Sequence, residues 1–313
     1  MIRGIACAPV SFGVYGSAEQ LSRSPRSLLS SAAGAGYSGM ELGPPGFFGS
    51  SSETREAFDS LGLTAVGAYV PIHFSGAGEV VERDLAAMRT TLDELSLWPR
   101  PGLAILADEG APELLAHPAR AWHERTLALD EAGWRRVEER LGQALELAQR
   151  AGIPTSFHPH ISTYVESPWE VERLLRMAPV GLTLDTGHFY LAGADPVESL
   201  VRWADRVNHV HLKDVRIKVL RDAVAQGRTD FDGWWADLST PLGMGDIDLE
   251  AFTSRLVAQD YDGWLVVEQD RAPLGTEPIE PVAAVQADNR RWVAALLERL
   301  GAPIADGVAV DAA

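Results

Sequence analysis

A single cysteine, Cys7, in 313 residues rules out an internal disulfide framework and a cysteine-built zinc site. No apolar run approaches the ~18 residues that a membrane-spanning helix needs. Basic residues are scarce too: 27 Lys and Arg against 44 Asp and Glu leave a net charge of −17. Gripping a phosphate backbone requires clustered Lys and Arg, so nucleic-acid binding is set aside. After the first strand-like run, Ala8-Pro9-Val10-Ser11-Phe12-Gly13 lacks G-x-G-x-x-G spacing. That weakens a doubly wound, dinucleotide-binding sheet. Met1-Ile2-Arg3-Gly4 enters a strand-like run with no signal-peptide pattern, which makes a cytoplasmic location the expectation.

What is present is an apolar share of 46%, enough for one large core, arranged in an α/β alternation. Strand-like runs fall at 2–8, 39–42, 64–72, 103–106, 154–157, 180–184, 207–210 and 263–267. Helical patterns fall at 22–35, 52–61, 80–97, 134–151, 168–177, 196–204, 249–259 and 281–300. Eight such units predict a single (β/α)8 TIM barrel over 1–300, closed by a C-terminal helix, with 301–313 as a loose tail. Two long polar stretches, 108–131 and 216–244, exceed ordinary loops and are read as active-face insertions. They either cover the site as lids or pack across a subunit boundary of a homo-oligomer.

Four of the strand runs empty into chemically able residues. Pro154-Thr155-Ser156-Phe157 leads into His158-Pro159-His160, Leu182-Thr183-Leu184 into Asp185-Thr186-Gly187-His188, and Val207-Asn208-His209-Val210 into His211-Leu212-Lys213-Asp214. Trp264-Leu265-Val266-Val267 leads into Glu268-Gln269-Asp270. Five of the eight histidines lie between His158 and His211. Side chains alternate across a strand, so Thr183 with Asp185, His209 with His211 and Val266 with Glu268 share faces. One assignment brings Asp185, His211 and Glu268 together at the C-terminal mouth, a set suited to a divalent ion such as Mn, Co, Zn or Mg. Asp185 and Asp214 also admit the plain reading of helix caps. His209, one layer deeper, reads as a core or supporting group, and Lys213 shares the face of His211. His117 and His123 read as solvated. The Phe47-Phe48 pair leaves packing and pocket lining both open.

The runs Gly181-Leu182-Thr183-Leu184-Asp185-Thr186-Gly187-His188 and His209-Val210-His211-Leu212-Lys213-Asp214-Val215-Arg216 resemble the xylose-isomerase-like sugar isomerase and epimerase superfamily. Tyr261-Asp262-Gly263-Trp264-Leu265-Val266-Val267-Glu268 adds to the likeness. His158-Pro159-His160 and Gly243-Met244-Gly245-Asp246-Ile247-Asp248 are similar to inosose dehydratases within it. The resemblance implies a divalent metal on Asp185, His211 and Glu268, and a small polyol or sugar as substrate. Many members carry a fourth ligand, a Glu, at the end of strand five; here His158 stands in its place, as substitute ligand or bystander. Epimerases of this kind use two carboxylate bases, and the loss of one favours a reaction with one base and one acid. That points to metal-assisted dehydration of a keto-polyol, with ketose isomerisation or a non-catalytic sugar-binding barrel as alternatives. The base falls to Glu268 or the pair His158 and His160, and the acid to Lys213 or His188. His188 and Arg216 match positions that hold substrate oxygens in relatives, and Glu41 and His73 would complete a polar ring around the substrate.

Overall fold

A computed structural model describes residues 1–15, 24–119, 125–228, 231–273, 277–302 and 304, with the backbone alone for 231–233. Its centre is eight parallel strands: β1 (Gly4–Cys7), β2 (Gly39–Leu42), β3 (Thr64–Ile72), β4 (Leu103–Asp108), β5 (Thr155–Phe157), β6 (Gly181–Asp185), β7 (Val207–Leu212) and β8 (Trp264–Val267). Each pairs with its sequence neighbours, and β8 returns to β1 with Ala6 opposite Val266, so the sheet closes into a barrel. The expected (β/α)8 TIM barrel is the fold. The strands are almost wholly buried, as parallel strands covered by helices must be.

Around them run α1 (Pro25–Gly34), α2 (Ser51–Asp59), α3 (Gly78–Leu95), α4 (Pro112–Leu115), α5 (Glu131–Ala151), α6 (Pro168–Met177), α7 (Thr186–Leu191), α8 (Pro196–Arg202), α9 (Ile217–Ala225), α10 (Phe231–Leu238), α11 (Leu249–Ala258) and α12 (Glu280–Arg299). The longest, α5, shows why they form. Trp134, Val137, Leu141, Ala144 and Ala148 recur at helical spacing and are all buried. The Asp130 side chain caps its start by accepting from the Gly133 N–H at 2.7 Å, and Gly152, at φ 70°, ends it in the left-handed region.

The two insertions are more ordered than their polarity predicts. The first holds α4 and a 3-10 turn, Arg125–Leu127, and residues 120–124, with His123, lie outside the described set. Its root is fixed by Asp108, whose Oδ2 accepts from the N–H groups of Gly110 (3.1 Å) and Tyr164 (2.9 Å). The second holds α9 and α10, flanked by an antiparallel pair in which Asp214–Val215 meets Ser239–Thr240. In the tail, Ile304 bridges to Ile2; residue 303 and residues 305–313 lie outside the described set. No described helix is long and apolar enough to cross a membrane.

Candidate functional site: a buried carboxylate–imidazole cluster at the barrel mouth

Register decides which side chains meet. Asp185 stands opposite His211 across β6 and β7, and His211 opposite Val266 across β7 and β8. Paired residues of neighbouring parallel strands point to one side, so Asp185, His211 and Val266 share the barrel interior. Glu268, two residues past Val266, follows them inward. From β5, Ser156 points inward to accept from Thr183 Oγ1 at 2.6 Å, and His158 follows it two residues on. One ligand atom from each of His158, Asp185, His211 and Glu268 falls within 4.8 Å of the others, and all four residues are buried.

These residues fit a divalent ion. His158 Nε2, Asp185 Oδ2, His211 Nδ1 and Glu268 Oε2 are buried and lack a hydrogen-bond partner of acceptable geometry. Yet they crowd one another: Asp185 Oδ2 lies 3.6 Å from both His158 Nε2 and His211 Nδ1, and His211 Nδ1 touches Glu268 Oε2. Orphaned polar atoms are costly in a protein interior, and two oxygens with two imidazole nitrogens make an ordinary donor set for such an ion. Asp185 serves both purposes that its sequence position allowed. Its Oδ1 accepts from the His188 N–H at 2.9 Å, capping α7, while Oδ2 faces the cluster.

Charge follows the geometry. Burial alone would raise the Asp185 carboxyl, but Lys213, His188, His158 and His211 hold it well below the usual range. Burial opposes charge on His211, yet Glu268, Glu41 and Asp185 together push it well above an ordinary imidazole. Glu41, sealed inside the barrel, accepts through one oxygen from His209 Nε2 (2.7 Å) and His211 Nε2 (2.9 Å). With Nε2–H held by Glu41, Nδ1 carries the second proton toward Asp185 and Glu268 and is the nitrogen that would release it to bind an ion. Glu41 is thus engaged in orienting imidazoles from behind.

Beside the cluster lies Lys213, fully buried. Its Nζ is 2.8 Å from Asp270 Oδ2, 3.0 Å from His188 Nε2 and 3.4 Å from both Asp185 Oδ2 and Glu268 Oε1. Burial would discharge it, but Asp185, Asp270 and Glu268 outweigh burial and keep it an ammonium. Gly187 makes room for its stem: a Cβ there would lie 2.6 Å from Lys213 Cδ. Both ring nitrogens of His188 face donors, Lys213 Nζ and the Ile161 N–H at 3.3 Å, and burial with His160 and Lys213 nearby keeps the ring neutral. The His160 ring packs on His188 at 3.8 Å between centroids and donates Nδ1–H to the Ile161 carbonyl at 2.7 Å. Burial, then His158 and Lys213, lower its pKa to about 3, so it too is neutral. Trp235, from the second insertion, stacks on His188 at 5.7 Å and 21°.

Other residues singled out by the sequence are not among the four clustered ligands. His73 bonds through Nδ1 to Asp84 Oδ2 at 2.8 Å and is about one-third exposed at the exit of β3. Arg216 is exposed at the start of α9 and joins none of these contacts. Asp214 is a clamp: its carboxylate accepts from the N–H groups of Gly243 (2.9 Å), Gly245 (2.8 Å) and Ile247 (3.3 Å). Phe47 and Phe48 pack in an edge-to-face chain with Phe58 and Trp98 beneath the loop. His117 is exposed. Two residues at the mouth escaped the sequence reading, Trp235 and Tyr69, whose ring stands edge-on to His158 at 6.1 Å, and Asp270 was noted in its run but given no role. Asp270 carries a usable signal, since it shares the strand face of Glu268.

A parallel barrel whose C-terminal mouth gathers buried carboxylates, imidazoles and an ammonium defines the class: a (β/α)8 enzyme with a centre able to hold a metal. Within that class the chain belongs to the xylose isomerase-like TIM barrel family, which matches residues 29–296. It is 31% identical over 256 residues to the inosose dehydratase of Geobacillus kaustophilus (strain HTA426), covering 80% of this chain and 82% of that one. It is likewise 31% identical to the rhizopine catabolism protein MocC of Rhizobium meliloti, covering 80% and 76%. Among solved structures it is similar in fold to an L-ribulose 3-epimerase, with a TM-score of 0.67 over 96% of both chains at 16% identity.

Proposed function

We propose that the protein removes water from a neutral keto-polyol, an inosose or a close relative, by α-proton abstraction and β-elimination. One observation carries this reading. Where a two-base epimerase needs a second carboxylate, β5 ends in His158 and His160, and beside them the site supplies one ammonium, Lys213. Likeness to the named inosose dehydratases supports the same choice.

His158, Asp185, His211 and Glu268 would hold a divalent ion, with Glu41 fixing the imidazole of His211 from behind. Such an ion, when bound, polarises a carbonyl and stabilises negative charge developing on its oxygen. His160, with Nδ1–H committed to Ile161, presents Nε2 to take the proton α to the ketone. Lys213 delivers a proton to the departing hydroxyl, and Asp270 and Glu268 keep that ammonium charged and aimed. His188 and Trp235 pack above it and exclude water.

Purified protein should carry about one divalent ion per chain, by elemental analysis, and lose activity on chelation. Asp185→Ala and His211→Ala should lose bound metal and activity together, the latter by about 10³-fold or more. His160→Ala should keep the metal and lose about 10²–10⁴-fold in kcat. A fully active, fully metallated Asp185→Ala protein would contradict the proposal.

A further inference from the structure

Tyr69 points into the barrel, because it stands opposite Ile105 of β4, which in turn stands opposite the inward-facing Ser156. Its ring lies edge-on to His158. Most of the cluster below is sealed, whereas Tyr69 remains 36% exposed. Its hydroxyl donates to Glu109 Oε1 at 3.4 Å, a long bond, and Glu109 is exposed one residue past the end of β4. A partly exposed aromatic ring and an exposed carboxylate therefore meet on the rim beside the strand-five histidine.

We infer that Tyr69 and Glu109 form a hydroxyl-recognising subsite that selects a neutral polyol and rejects phosphorylated or carboxylated sugars. The inference rests on the dehydration reading above for the identity of the reacting site. A polyol hydroxyl is both donor and acceptor, so it can insert into the long Tyr69–Glu109 bond, giving its hydrogen to the carboxylate and receiving that of the phenol. The ring's face offers a surface for the C–H groups of a cyclic polyol. An anion meets the opposite: Glu109 repels it, and the Lys213 ammonium is already shared among Asp185, Glu268 and Asp270.

The test is calorimetric titration of Mn-loaded protein with myo-inositol, a non-reacting cyclic polyol, and with an inositol monophosphate. Wild type should bind myo-inositol more tightly than the phosphate. Glu109→Gln and Tyr69→Phe should each weaken myo-inositol binding about tenfold, and the double variant little further, because the two act on one hydroxyl. Mn affinity, measured on the same samples, should stay within about twofold of wild type and so certifies the fold. Glu109→Lys should reverse the preference toward the phosphate. Unchanged myo-inositol affinity in both single variants, tighter binding of the phosphate by wild type, or no binding of myo-inositol would overturn the subsite. Myo-inositol binding that responds as stated, in a protein that dehydrates no keto-inositol, would refute the dehydration reading and leave the subsite standing.

Discussion

Asp108 shows how closely single residues here balance burial against contact. Its Oδ2 staples two loop amides, but Oδ1 is buried without a partner, and burial raises its pKa to about 6. A carboxyl raised in the folded state binds its proton more tightly there, so stability falls as pH climbs from about 4 to 6 and stays reduced above. Asp108→Asn can keep the amide contacts while carrying no charge. It should raise stability by ~1–3 kcal/mol at pH 7.5 and change it little near pH 4, read from denaturant midpoints at the two pH values. Gly187 offers a second test at this scale. Gly187→Ala drives a methyl into the Lys213 stem; kcat should fall about 100-fold while the metal stays bound. Normal kcat in that variant would show that the position of Lys213 does not matter.

At the scale of elements, strands announced themselves, whereas the insertions were legible in position but not in the helices and strand pair they contain. Asp185, His211 and Glu268 were readable because period-two alternation belongs to the strand itself, and His158 follows from the same rule. Tyr69 was hidden by an irregularity. Between Met40 and Leu42 of β2, β3 advances from Ala65 to Ala68, one residue too many, so alternation counted from the interior residue Val66 puts Tyr69 on the wrong face. Trp235 was hidden for a different reason, since its approach to His188 depends on how the whole 216–244 stretch folds back. That fold is enforced by the three amides on Asp214 and by the Leu242 N–H donated to Asn289 Oδ1 at 3.0 Å. Among the described residues of the stretch, Trp235 is the one that stacks over His188. Trp235→Ala should lower kcat about tenfold and KM far less, with Trp235→Phe restoring most of the loss. Equal effects of the two substitutions on steady-state kinetics would remove the stacking from the account.

For the whole molecule, closure of the barrel turns four strand ends, far apart in sequence, into one cluster. The fold was legible from eight repeats of strand and helix, and the chain's acidity sits comfortably with the neutral substrate proposed for the site. An ion bound by the native cluster alone should stabilise the fold, by ~2.7 kcal/mol at a hundredfold excess over its Kd. The reaction itself is decided by mass. Metal-loaded protein incubated with a keto-inositol should yield a product lighter by one water, seen by mass spectrometry. A product of unchanged mass would contradict dehydration and make the protein an isomerase or epimerase.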